Sequence, residues 1–230
     1  MKEKIKEFIV KNIKWIILFV CLIGFLALAE DVFHKEIMNG DIIGYKFVST
    51  YLISNFATPI AKFITNFGGA IFLIIFTILL FILIKNKKIG FSVLSNLVIV
   101  TLLNQLLKNI LQRPRPTEFR IVEETGYSFP SGHSMVSMAF YGYLIYLIYR
   151  YVENNYLKWT LIVLLSILIC TIGISRIYLG VHYTSDVLGG FLISISYLVI
   201  YISAVNKFLL VEKIWNIKKW RGKKYNNGKM

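Results

Sequence analysis

Residues 159–205 read WTLIVLLSILICTIGISRIYLGVHYTSDVLGGFLISISYLVIYISAV. The central SRIYLGVHYTSD places Arg176, His182 and Asp186 between two runs, 159–174 and 187–205, that carry no charge. Each run approaches the ~20 apolar residues that a helix needs to cross a bilayer. Neither alternates with period two, as a strand of a membrane barrel would. The stretch therefore reads as two crossing helices joined by a polar corner, and the fold class as all-α, a polytopic membrane helical bundle.

The same signal recurs upstream at 15–29, 69–84, 91–107 and 134–149, which gives six expected spans. Hydrophobic residues make up 57% of the 230, too many for a soluble core with a polar skin. A single integral membrane domain over 1–230 is expected, with no internal repeat and with 207–230 as a basic tail. Cys21 and Cys170 each lie inside an apolar run, which excludes a disulfide framework and a Cys-rich zinc site. Between Glu30 and Phe67, Pro59 and the polar Ser54, Asn55, Thr58, Lys62, Thr65 and Asn66 argue against a simple crossing. ISNFATPIAKFITNF (53–67) instead spaces its apolar residues as an interfacial helix between the first and second spans would. His34, in the same stretch, reads as a solvated or structural histidine and not a catalytic one.

The net charge of +14 is unevenly placed. Lysines crowd the N-terminus (Lys2, Lys4, Lys6, Lys11, Lys14), the link 85–88 and the tail 207–229. With both termini in the cytoplasm all three clusters fall on that side, as the positive-inside rule requires, and so does the slightly basic link 150–158. Trp215, Trp220 and Tyr225 interleave with the tail lysines, a pattern that nucleic-acid binders share. Anchoring on anionic lipid is the reading that suits a membrane chain, and no nucleic-acid partner is expected. ALAED at 27–31 imitates a signal-peptide cleavage site after the first segment, which is expected to be retained as a span because everything after it is membrane too.

That topology gathers three separated stretches at one external surface: KNILQRPRP (108–116), FPSGHS (129–134) and SRIYLGVHYTSD (175–186). Arg113, Arg115 and Arg120 lie there although the charge rule gives no reason for them. Lysine and arginine offer donors and positive charge without acceptors, which suits a phosphate. Ser131, Gly132 and His133 follow Pro130 at a helix start, where free amides and the helix dipole favour an anion. His182 and Asp186 are four apart, so at the start of the last helix the carboxylate can accept from Nδ1 and leave Nε2 bare. Such a histidine can attack phosphorus and form a phosphohistidine. Arg176 would then neutralise charge on the equatorial oxygens, and His133 would protonate the leaving oxygen and later deprotonate water. A metal held by His133, His182 and Asp186 would sit among fixed positive charges, so neither metal nor cofactor is expected.

These residues resemble the type 2 phosphatidic acid phosphatase superfamily. Its motif set is Lys, six residues, Arg-Pro; then Pro-Ser-Gly-His; then Ser-Arg, five residues, His, three residues, Asp, and each position is filled here. The resemblance implies a metal-independent membrane phosphatase with His182 as nucleophile, Asp186 orienting it and His133 as acid and base. It assigns the phosphate to Lys108, Arg115, Ser131, Gly132 and Arg176. RPRP holds two Arg-Pro pairs, so Arg113 is an alternative to Arg115 or a companion. A phosphate pocket at the external interface points to a lipid headgroup, with undecaprenyl diphosphate expected first by analogy and phosphatidylglycerophosphate or phosphatidic acid as alternatives. A lipid phosphotransferase shares the motifs; a vanadate-dependent haloperoxidase does too, but is soluble and longer. A lipid-binding or transport protein is the non-enzymatic alternative.

Overall fold

The computed structural model describes the backbone of residues 2–34, 38–117 and 120–226, and side chains within 11–34, 38–117 and 120–207. The described residues form eight helices and no strand. They are α1 (Lys2–Phe33), α2 (Asn39–Tyr51), α3 (Ala57–Asn66), α4 (Ala70–Leu83), α5 (Lys87–Leu111), α6 (Gly132–Tyr151), α7 (Asn155–Tyr178) and α8 (Thr184–Asn226).

Helix ends fall where local chemistry supplies them. Asn86 caps α5 by accepting from Lys88 N (3.1 Å), Ser131 caps α6 from Ser134 N (3.4 Å), and Asn154 caps α7 from Leu157 N (3.0 Å). Helix α5 stops at Gln112, whose left-handed backbone (φ 46°) turns the chain into RPRP, where proline cannot continue a helix. Gly180 (φ 70°) supplies the positive φ that reverses the chain between α7 and α8.

Helix α6 lies between α5, α7 and α8; α1 packs along α8, α4 on α5, and α3 on α7. The core between them buries Phe140, Tyr143, Leu73, Val93, Ile172 and Leu198. Polar side chains tie the helices together inside it: Tyr143 and Ser92 share a hydrogen bond of 2.7 Å, and Tyr201 donates to Ser92 O at 2.5 Å. Gly173 lets α7 and α8 approach, since a Cβ there would stand 2.6 Å from the Phe191 ring. The outside inverts the rule for soluble proteins. Phe19, Val20 and Ile23 on α1, Ile71 and Ile75 on α4, and Val163 and Leu164 on α7 are exposed, as lipid-facing residues are.

Four helical stretches of the described residues are long and apolar enough to cross a membrane: Lys11–Phe33, Lys87–Leu111, Asn155–Tyr178 and Thr184–Lys207. Helices α3 and α4, bent by 48° at their junction, pass the same test only when taken together, as a broken span or a re-entrant loop would. The expected fourth span, 134–149, is helical throughout as α6, but its Ser, Gly and Tyr residues lower its hydropathy; enclosed by three helices, it does not need a greasy surface. The stretch 53–67, expected as an interfacial helix, holds α3; α2 precedes it across a break after Tyr51, and both pack on α7. His34 is exposed, with Nε2 3.9 Å from the Glu30 carboxylate. Of the basic tail, the side chains beyond Lys207 lie outside the described residues, as do those of Lys2, Lys4 and Lys6.

Candidate active site

A cavity of about 240 Å³ is lined by Lys108, Arg115, Gly132, His133, Arg176 and His182, from α5, the loop after it, α6, α7 and the α7–α8 corner. These are six of the eight site residues expected from the sequence. Asp186 stands behind the cavity wall, and Ser131 is used elsewhere. Its hydroxyl accepts from Ser134 N and Ser134 Oγ (3.0 Å), and its amide donates to Asp186 O (3.0 Å), so it caps α6 and fastens that cap to α8. The first amides of α6 have no intrahelical acceptor and start beside Gly132, where a Cβ would stand 3.1 Å from Asn104 Oδ1 and 3.9 Å from Lys108 Cε. The missing side chain leaves room there.

His182 is fixed from both ring nitrogens. Nδ1 lies 3.2 Å from Asp186 Oδ2, and Nε2 lies 3.1 Å from Arg115 Nη1. A guanidinium only donates, so Nε2 is the acceptor and the ring proton sits on Nδ1, held by the carboxylate. Burial pushes His182 down to about 4, against the pull of Asp186 and helped by the Arg176 and Arg115 charges, which keeps the ring neutral. The Nε2 lone pair therefore sits at the cationic cavity, where it accepts from Arg115.

Arg176 is almost wholly buried; its Nη1 donates to Thr65 Oγ1 (2.8 Å) and its Nη2 to Glu124 Oε1 (2.5 Å), while Nε has no partner. Lys108 donates to Tyr127 O, and Arg115 donates to the carbonyls of Thr125, Gly126 and Val181 at 3.0–3.2 Å. Glu124 reaches both arginines, with Oε2 4.0 Å from Arg115 Nη2. Burial acts to raise this carboxyl, and Arg176 and Arg115 outweigh it, leaving it below its ordinary value. Three cations against one carboxylate leave the wall with an excess of positive charge, the complement of a phosphate dianion.

The two arginines of RPRP part company. Arg115 faces the cavity. Arg113 turns away, donating from Nη1 to Asp186 Oδ1 (2.7 Å) and Ser185 Oγ (2.7 Å) and from Nη2 to Asp41 Oδ2 (2.7 Å). Burial works against its charge and the two carboxylates more than restore it. Asp41, Glu124, Thr65 and Asn104, whose Nδ2 donates to Pro130 O at 3.2 Å, were not expected at the site. They stand singly in their segments with no spacing to mark them. Another wall of the cavity includes Leu73 and Ile74 of α4 with Leu97, Thr101 and Gln105 of α5.

A model of the PAP2 superfamily matches residues 89–209, more than half of the chain and all three motif stretches. The crystal structure of a transmembrane PAP2-type phosphatidylglycerolphosphate phosphatase from Bacillus subtilis superposes with a TM-score of 0.73 at 27% identity, covering 83% of this chain and 96% of that one. Phosphatidylglycerophosphatase B of Bacillus subtilis is 40% identical over 92 residues, 39% of this chain, and the match spans 45% of that protein's length. An undecaprenyl-diphosphatase of Sulfolobus acidocaldarius is 26% identical over 213 residues, 87% of this chain and 96% of its own.

Proposed function

The chain belongs to the PAP2 superfamily, and on that footing we propose that it is a metal-independent membrane phosphatase that removes phosphate from a lipid through a phosphohistidine. The carrying observation is the clamped imidazole: Asp186 at Nδ1, and Nε2 at the edge of a cavity walled by Lys108, Arg115 and Arg176, held by an Arg115 donor that a bound phosphate would draw to its own oxygens. His182 Nε2 attacks phosphorus, forming the P–N bond as the bond to the leaving oxygen breaks. His133 gives its proton to that oxygen, then takes one from water, whose oxygen displaces the imidazole and releases inorganic phosphate. The three cations and the first amides of α6 hold the equatorial oxygens throughout, the role for which another fold would use a metal.

The substrate is a lipid because one wall of the cavity is made by α4 and α5, whose outer faces carry exposed Ile74, Leu102 and Leu106. The headgroup then sits in the cationic end while the tail lies along these helices. Undecaprenyl diphosphate is the substrate expected from the sequence. Phosphatidylglycerophosphate is the second reading, supported by the 40% identity to a phosphatidylglycerophosphatase. Six crossings, with α6 the fourth and the bent α3–α4 pair the second, leave both termini in the cytoplasm and the cavity at the external face, with α2 at that interface.

The test is release of inorganic phosphate by detergent-purified protein, with the two lipids side by side in excess EDTA. Release from at least one of them, reduced by several orders of magnitude in His182→Ala, is the expected result. Near-normal turnover by that variant would end the phosphohistidine reading. Loss of wild-type activity in EDTA, restored by magnesium or zinc, would end the metal-independent one.

A further inference from the structure

We infer that Asp41 and Arg113 form a positioning pair that holds Asp186, and through it His182, in the reactive geometry. The inference rests on the reading of His182 as nucleophile. Three things on three segments meet behind the histidine. Asp41 of α2, 2% exposed, accepts from Arg113 Nη2 (2.7 Å), from Ser185 N (2.8 Å) and from Ser185 Oγ (2.9 Å). Arg113 bridges to Asp186 Oδ1 (2.7 Å), and its guanidinium lies 4.1 Å from the centroid of the Tyr183 ring, which fixes its plane. Asp186 gives its other oxygen to His182 Nδ1 (3.2 Å) and Tyr183 N (2.9 Å).

The chemistry explains why the carboxylate needs this backing. An isolated Asp186, fully buried, would either take up a proton or turn toward the cavity cations, and in both cases lose Nδ1–H. A single arginine between two carboxylates holds Asp186 ionised, yet is not spent on it alone, because Asp41 shares the charge. Only a guanidinium spans two carboxylates in this way, since its fork presents separate nitrogens to each. The seat is also built close. A Cβ on Gly44 would fall 2.1 Å from Thr184 Oγ1, so α2 lies directly against the first turn of α8. Asp41 lies outside the matched residues 89–209, so this part of the site comes from the segment that precedes the motifs.

The pair predicts a pattern that a purely structural contact would not produce. Asp41→Asn keeps an acceptor for Ser185 N, replaces the oxygen that accepts from Ser185 Oγ and Arg113 with an NH₂, and removes the anion; Arg113→Gln removes the cation that separates the two carboxylates. Each should lower kcat about 10–100-fold, the usual cost of losing a group that orients a reactive one, with KM for the lipid phosphate within about 3-fold of wild type. Combined in one chain they remove equal and opposite charges, so the loss in the double variant should be no greater than that of the worse single variant. All rates are taken per folded molecule, from the monodisperse fraction in detergent. Wild-type kcat in the folded single variants, single losses that multiply in the double variant, or a loss carried by KM would each overturn the inference. His182→Ala in the same assay separates this failure from that of the parent reading: an active His182→Ala removes the nucleophile itself, whereas an inactive one beside normal Asp41→Asn and Arg113→Gln removes only the positioning pair.

Discussion

Replacing Asp186 with asparagine keeps the volume and removes the charge, and the structure shows why no orientation of the amide can serve. The Oδ2 position receives two donors, Tyr183 N at 2.9 Å and His182 Nδ1 at 3.2 Å; Oδ1 receives Arg113 Nη1 at 2.7 Å and a longer contact from Ser128 Oγ at 3.5 Å. An NH₂ at the first position faces the Tyr183 amide and forces the imidazole to accept at Nδ1. The proton then moves to Nε2, where the nucleophilic lone pair should be and where Arg115 Nη1 already points. An NH₂ at the second position meets the buried guanidinium donor to donor. Wrong-tautomer histidines in other covalent catalysts lose about 10⁴-fold in kcat, equivalent to about 5 kcal/mol of transition-state stabilisation. The same order, about 10³–10⁴-fold, is expected for Asp186→Asn, with KM nearly unchanged because the phosphate contacts lie on the other side of the ring. The assay is phosphate release against lipid mole fraction in mixed micelles, with folding checked by thermal melting in the same detergent. Folded Asp186→Asn protein with kcat within about 10-fold of wild type would refute the tautomer argument.

Two further outcomes follow from the same geometry. Because burial holds His182 at about 4, below its ordinary 6.5, the ring stays neutral well into acid. The acid limb of kcat/KM, corrected for the substrate's own ionisation near pH ~6, should therefore fall near 4, and a midpoint near 6.5 would mean that the ring is not sequestered. Sidedness is read by cysteine labelling in intact cells: Glu123→Cys should react with an impermeant thiol reagent and Asn86→Cys should not, and the reverse pattern would place the cavity in the cytoplasm.

The helices were legible because long uncharged runs have few alternatives. Helices cover the expected 69–84 as Ala70–Leu83 and 134–149 as Gly132–Tyr151, with Gly69 and Ser131 at the N-cap positions and each C-terminal end within two residues. The gathering of Lys108, Arg115, His133, Arg176 and His182 was legible from motif spacing and a common face. What the sequence hid were pairings between residues far apart, with no local pattern to announce them. Asp41 and Ser185 are 144 positions apart, and Arg176 and Thr65 are 111 apart. The spacing from Lys108 points to Arg115, and the left-handed turn at Gln112 with the waiting Asp41 shows where the other arginine of RPRP goes. Ser131 carried a usable signal, a serine just before a helical run, but the phosphate reading took precedence over its capping role. Within 30–67 the sequence marks one interfacial helix, at 53–67 where α3 lies; α2 (Asn39–Tyr51) is an additional helix before it.

The wall that α4 and α5 contribute to the cavity changes how such a catalyst meets its substrate. A headgroup that arrives past Ile74, Thr101 and Gln105 comes from the plane of the bilayer rather than from the aqueous phase. Encounter is then a two-dimensional search, and its frequency depends on how many substrate molecules share each unit of membrane area. Diluting the vesicles in buffer leaves that number unchanged, whereas diluting the substrate with inert lipid lowers it. A phosphatase of the proposed kind would sense the composition of its own leaflet, and its rate would follow the crowding of phosphorylated headgroups there however little of the lipid the surrounding volume contains.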